Sequence, residues 1–174
     1  MNLERILNGA SIFIDANIFI YAVGRYSEQC RQLLKRCAAR TVNGKTSSVV
    51  IAEFCHRRML NEARAKGLLS QKSTPRELAA KRPYLTRLVD YENEVRDLLA
   101  GQIKIEPVFA EDFLVALPFQ KHFGLLTNDS LNLAVAKRLG LMEFVTADAD
   151  FGNVPGLLVY HPDDLPGEET KIKG

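Results

Sequence analysis

Residues 11–21 read SIFIDANIFIY, and the first four of them decide the fold class. Ser11–Ile14 is a short apolar run with β-branched residues that stops at an acid, Asp15. Such a run reads as a buried strand. Further strands are expected at Ile103–Val108, Phe144–Thr146 and Leu157–Tyr160. Between them lie amphipathic helical patterns. Ser27 caps one that runs from about Glu28 to Ala39, and Ser47 or Ser48 caps a longer one through about Lys66. Thr74-Pro75-Arg76-Glu77 carries a capping box with proline at the first helical position. Pro83 should kink or break that helix before Tyr84–Leu99 continues. Two more helices are expected at Glu111–Phe123, kinked at Pro118, and at Asp129–Leu139. Asn43-Gly44 reads as a turn. Strands alternating with helices predict a three-layer α/β/α sandwich around a central, mostly parallel sheet.

At 174 residues the chain is expected to be one domain spanning 1–174, with a core of about 11–164 and a polar tail over 165–174. No apolar run reaches the roughly 18 residues of a membrane span, and the opening MNLERILNGAS lacks the basic-then-apolar pattern of a signal peptide. The expected location is the cytoplasm, with no membrane partner. Three cysteines, Cys30, Cys37 and Cys55, cannot all pair with one another and fit free thiols.

A net charge of +2 conceals an asymmetry. Between Arg25 and Arg87 there are 15 Lys and Arg against four acids, while the rest of the chain has eight basic and 17 acidic residues. A basic helical half set against an acid-rich remainder fits a polyanion approaching a carboxylate site. Arg57 and Arg58, about one helical turn past Glu53, are the candidate phosphate contacts.

Four acids fall where a parallel sheet gathers its ligands, beyond the carboxyl ends of the strands or on adjoining helices. Asp15 and Asp148 follow strands, Glu53 lies in SSVVIAEFCHR (47–57), and Asp129 opens the helix in LTNDSLNLAVAKRLG (126–140). Three of them have a plainer reading: Asp15 and Asp129 as helix caps, Glu53 as an ordinary surface residue. Clustered carboxylates repel and resist desolvation, so a fold that collects them normally supplies a cation. The hypothesis is therefore a divalent-metal site made of oxygen ligands only, of the kind that cuts phosphodiesters. Asn17 has donors to orient Asp15, Thr146 has a hydroxyl suited to hold a metal-bound water, and Asp150 is an accessory acid. Cys55-His56 has no second Cys/His pair at zinc spacing, and Asp148-Ala149-Asp150 lacks the rest of a calcium loop.

In order and context these motifs resemble the PIN-domain family of metal-dependent nucleases, which includes the VapC-type toxins of toxin–antitoxin pairs. FIDANIFIY is similar to the first motif (Asp15, Asn17), SSVVIAEF to the second (Glu53), NDSLNLAVAKRLGL to the third (Asp129) and VTADADF to the fourth (Asp148, with Asp150). The resemblance covers Ile12 to about Asp164, and the chain exceeds a compact toxin in the helical stretch Asn61–Ala100. It implies a Mg²⁺- or Mn²⁺-dependent endoribonuclease in which Asp15, Glu53, Asp129 and Asp148 hold the metal, with Glu53 or Asp148 as general base. It also implies an RNA substrate, an antitoxin protein and a homodimer. The alternatives are a nuclease for DNA or structured nucleic acid, and a scaffold of the same fold that binds without cleaving.

Overall fold

The structure is a computed structural model that describes residues 1–70, 72, 74–80 and 82–165. The expected polar tail, from residue 166 onward, lies outside the described residues. Five strands form one sheet in the order β3-β2-β1-β4-β5: Ser11–Ile14 (β1), Asn43–Ser47 (β2), Lys104–Glu106 (β3), Glu143–Val145 (β4) and Leu158–Tyr160 (β5). Every pairing is parallel, so the sheet is wholly rather than mostly parallel. β1 is central, and Ile12, Phe13 and Ile14 have no solvent exposure. Phe13 stacks on Phe144 of β4 at 4.9 Å between ring centres, and Phe144 on Phe151 at 4.5 Å, which ties the two strands that end at the site.

The helices are Ala16–Val23 (α1), Glu28–Ala38 (α2), Ser48–Ala65 (α3), Pro75–Ala80 (α4), Arg82–Leu85 (α5), Asp90–Ala100 (α6), Ala110–Phe123 (α7) and Thr127–Arg138 (α8). They complete the three-layer α/β/α arrangement. Ser27 and Ser47 cap α2 and α3 by accepting from the backbone N–H of Cys30 (3.0 Å) and Val50 (3.1 Å). α7 runs on through Pro118. No helix among the described residues is long and apolar enough to cross a membrane, and all three cysteines are free.

Two expectations are corrected. Asn43-Gly44 is not a turn but the start of β2. The reversal comes earlier, where Arg40 takes a left-handed conformation (φ 58°) after α2. Gly44 serves packing instead: a Cβ there would sit 2.9 Å from the Ile14 side chain and 3.0 Å from Cys37 Sγ.

The second correction concerns the stretch after α3. α4 ends at Ala80 and Pro83 lies in the first turn of a separate short α5, but the helix expected to continue from Tyr84 stops at Leu85, and α6 starts afresh at Asp90 after residues 86–89. The physical reason is Glu62, buried near the end of α3 at 6 % exposure. Its two oxygens accept the backbone N–H groups of Val89 (2.8 Å) and Tyr91 (2.9 Å), and Lys66 pairs with it. Those donors would otherwise be unmatched at the start of α6. Burial pushes the Glu62 carboxyl up, but Lys66 and the backbone donors outweigh it and bring the pKa to about 2.

Candidate metal and catalytic site

β1 and β4 are neighbours, with Ile14 opposite Val145, so the residues leaving their carboxyl ends meet. The Asp15 N–H donates to Val145 O at 3.0 Å, and Asp15 then caps α1 by accepting from the Ala16 N–H at 2.7 Å. The cap and the site are therefore the same residue. Its other oxygen, Oδ2, accepts from Asn17 Nδ2 (2.8 Å) and Thr146 Oγ1 (2.7 Å). The carboxylate is 5 % exposed and held on both oxygens.

Thr146 does something other than what its position in sequence suggests. Its hydroxyl donates to Asp15 and accepts from Asn17 Nδ2 and from the Asp148 N–H, the latter two at 3.0 Å. A hydroxyl has one proton and two lone pairs, so this group is fully committed and is not available to a bound water. Asn17 completes the frame by accepting from the Ala147 N–H at 3.0 Å. Thus Asn17 and Thr146 lock the β1 end to the β4 end and orient Asp15. Asp148 caps a 3-10 turn over Ala149–Asn153, accepting from the Asp150 N–H at 2.9 Å, and Asp150 itself is exposed.

Glu53 comes from the second turn of α3 and Asp129 from the first turn of α8, two helices in contact. Asp129 does not start its helix, which opens two residues earlier at Thr127. Burial raises the Asp129 pKa to about 7, and the charges of Asp15, Asp148, Glu53 and Asp150 add to the rise. Burial likewise raises Asp15 to about 6, against its hydrogen bonds to Thr146 and Ala16, and Glu53 and Asp148 push in the same direction. All five sequence-designated acids thus act within one electrostatic neighbourhood.

Among the described residues no three His, Cys, Asp or Glu side chains stand close enough to hold an ion as they are. The donor set is nonetheless the one a hard divalent cation takes, oxygen only. The upward shifts of Asp15 and Asp129 mark acids that lack a positive partner, and a bound cation would reverse that imbalance. The chemistry of the residues present therefore fits a hard divalent cation.

Arg57 reaches Glu53 at 3.4 Å in a largely exposed pair. Arg58 forks onto Glu94 of α6 with bonds of 2.6 and 2.7 Å and is only 15 % exposed, so it fastens α3 to α6. One residue of the neighbourhood escaped sequence reasoning. Asn132, one turn past Asp129, is fully buried and accepts from Ser47 Oγ at 2.6 Å, which joins α8 to the start of α3. The signal was there: a lone amide inside the apolar run Leu131–Ala136.

No curated protein matches the sequence. Among solved structures, VapBC2 from Rickettsia felis, solved with a DNA fragment from its promoter, is similar with a TM-score of 0.56 and 16% identity, over 87% of this chain and 98% of that one. A toxin–antitoxin complex from Klebsiella pneumoniae has a TM-score of 0.55 at 19% identity, over 85% and 94%. A sarcin–ricin-loop-cleaving VapC toxin from Mycobacterium tuberculosis has a TM-score of 0.50 at 17% identity, over 81% and 92%. At such identities the likeness establishes the fold. The sequence profile of the PIN domain matches residues 12–157, a span that takes in Asp15, Glu53, Asp129 and Asp148, and the chain belongs to the PIN-domain family.

Proposed function

We propose that this protein is a Mg²⁺- or Mn²⁺-dependent endoribonuclease, a single nuclease domain over residues 1–174, and the toxin of a VapBC-type pair acting in the cytoplasm. The observation that carries the reading is a buried Asp15 held on both oxygens, whose charge, with those of Asp148, Glu53 and Asp150, adds to the burial that raises Asp129 to about 7. Asp15, Glu53, Asp129 and Asp148 would hold the cation, with Asp150 as accessory. When bound, the cation supplies Lewis-acid stabilisation of phosphoryl charge and acidifies water. Asn17 and Thr146 orient Asp15 before any substrate arrives, which spares reorganisation during the reaction. Asp15 is bound on both oxygens and shielded, so Glu53 or Asp148, each partly exposed, takes the proton of the attacking water. Arg57, exposed one turn past Glu53, contacts a phosphate beside the site.

Two surfaces support the partners. A cleft of about 350 Å³ lined by Phe19, Val23, Leu34, Phe54, Leu98 and Ile103 suits apolar side chains of an antitoxin. The outward face of α7 exposes Phe113, Leu114 and Leu117, and Leu126 beside it is 73% exposed, an apolar face suited to a second copy. The decisive test is cleavage of single-stranded RNA in Mg²⁺ by the wild-type protein and by Asp15→Ala. The substitution is expected to abolish cleavage while the cation-free protein stays folded, because the relief of carboxylate repulsion opposes the loss of the α1 cap and of the acceptor for Asn17 and Thr146. Cleavage by Asp15→Ala at the wild-type rate overturns the reading.

A further inference from the structure

We propose that the basic helical arm formed by α4 and α5 grips the sugar–phosphate backbone of the RNA whose scissile bond lies at the carboxylates. The proposal rests on the ribonuclease reading above and names where that substrate is held.

Residues 63–89 contain seven Lys and Arg and a single acid, Glu77. Lys72, Arg76, Arg82 and Arg87 are exposed on the arm. Among the described residues none of these four is paired with a carboxylate. By contrast, Arg58, Arg138 and Lys66 elsewhere are spent on Glu94, Asp112 and Glu62. Among the described residues Arg25, Lys35 and Lys45 of this half also lack a carboxylate partner, but they are spread over the end of α1, α2 and β2, whereas the arm gathers four such cations between Lys72 and Arg87. Arg87 lies over the Tyr84 ring at 5.5 Å, a planar cation on an aromatic face beside unspent phosphate-binding groups. Guanidinium groups and aromatic faces are what single-stranded nucleic acid uses for phosphate contact and base stacking, whereas an acidic protein segment needs only the charge.

The arm is also built as a fixed part. Leu60, Ala63, Leu69, Leu78 and Leu88 form a small apolar core of their own, apart from the main one. Glu62 staples the far end of the arm to α3 through Val89 and Tyr91. The helix that carries Glu53 is thus the strut that carries the arm. Arg57 and Arg64 follow Glu53 by four and eleven residues, on the same face of α3 by the helical repeat. Eleven residues span about 16 Å, so this stripe leads from the acids to the base of the arm. A strand with its scissile phosphate at Glu53 and its flank on α4 and α5 follows that stripe.

The experiment measures fluorescence anisotropy of a fluorescein-labelled single-stranded RNA across a salt series, with the Asp129→Asn protein and no divalent cation. It compares this parent with a triple Arg76→Gln, Arg82→Gln, Arg87→Gln variant and with a triple Lys variant at the same positions. The Gln triple is expected to bind about tenfold or more weakly at low salt, with a log–log salt slope smaller by about 2, near 0.7 for each phosphate that is no longer neutralised. The Lys triple is expected to keep most of the slope. Equal affinity and slope in parent and Gln triple overturn the proposal, leave the ribonuclease reading standing, and assign the arm to an acidic protein partner. Equal loss of affinity in both triples with an unchanged slope marks a damaged arm rather than a discharged one, and likewise overturns it. Absence of RNA binding by the parent overturns both readings.

Discussion

Asp15 and Glu62 are equally buried, at 5 % and 6 % exposure, yet their carboxyl groups move in opposite directions. Asp15 rises to about 6 and Glu62 falls to about 2. Desolvation raises both. Glu62 has a lysine and the free N–H groups of a helix start, so the charged form wins. Asp15 has neutral donors from Asn17, Thr146 and Ala16, and its charged neighbours are other acids. One carboxylate is matched by positive and N–H partners as a structural clamp, and the other has only neutral donors and negative neighbours. Burial alone does not separate a functional acid from a structural one; the sign of its neighbours does.

The contrast is broken most sharply at Thr146. Thr146→Val keeps the shape but leaves Asp15 short of a donor and Asn17 and Asp148 short of an acceptor. Cation affinity, measured by calorimetry, should fall about 10- to 100-fold, as for other groups that orient ligands. Unchanged affinity would mean that Asn17 and Ala16 suffice to hold Asp15.

Glu62→Gln tests the other side. It removes a buried charge from Lys66 and weakens the bonds to Val89 and Tyr91, and should destabilise the protein by about 2–3 kcal/mol. Limited proteolysis should then cut first within residues 68–89. A variant as stable and as protease-resistant as wild type would deny Glu62 its clamping role.

The two acids also give the cation-free protein a two-sided pH profile. Asp15 and Asp129 bind protons more tightly folded than unfolded, so stability should rise as pH falls from about 7 towards 4. For Asp15 this amounts to about 3 kcal/mol at most, from a rise of about two pH units. Glu62 acts with the opposite sign: its contribution is present above about 4.5 and is lost as pH falls towards 2. Thermal melts without divalent cation should therefore peak near pH 4–5, and saturating Mg²⁺ should remove the decline towards pH 7. A profile that is flat from pH 4 to 7 would contradict the electrostatic picture of the site.

The smallest effect separates Asp148 from Asp150. Mg²⁺ should raise the melting temperature because it binds only the folded site. Asp148→Ala should remove most of that shift, and Asp150→Ala, at an exposed position, much less. Equal losses would make the two acids joint ligands.

How far each feature was legible depended on the reach of its partners. The strand at Ser11–Ile14, the caps Ser27 and Ser47, and the four acids in order are local patterns, and the structure has the strand and caps where the pattern puts them. The acids could be read because a strand's carboxyl end and a helix's first turns are set by neighbouring residues in the chain. Asn43-Gly44 misled because its turn preference is weak against a place beside β1, where only a residue without a Cβ fits.

What the sequence determined by itself is the parallel layered fold and membership in the PIN-domain family, both carried by short motifs of residue type and spacing. Tertiary structure alone decided what each polar group does. Thr146 meets Asp15 across 131 positions, Arg58 meets Glu94 across 36, and Glu62 meets Val89 across 27. A hydroxyl, a guanidinium or a carboxylate can satisfy itself in several ways, and the choice is made by which donors and acceptors the fold brings within hydrogen-bond distance.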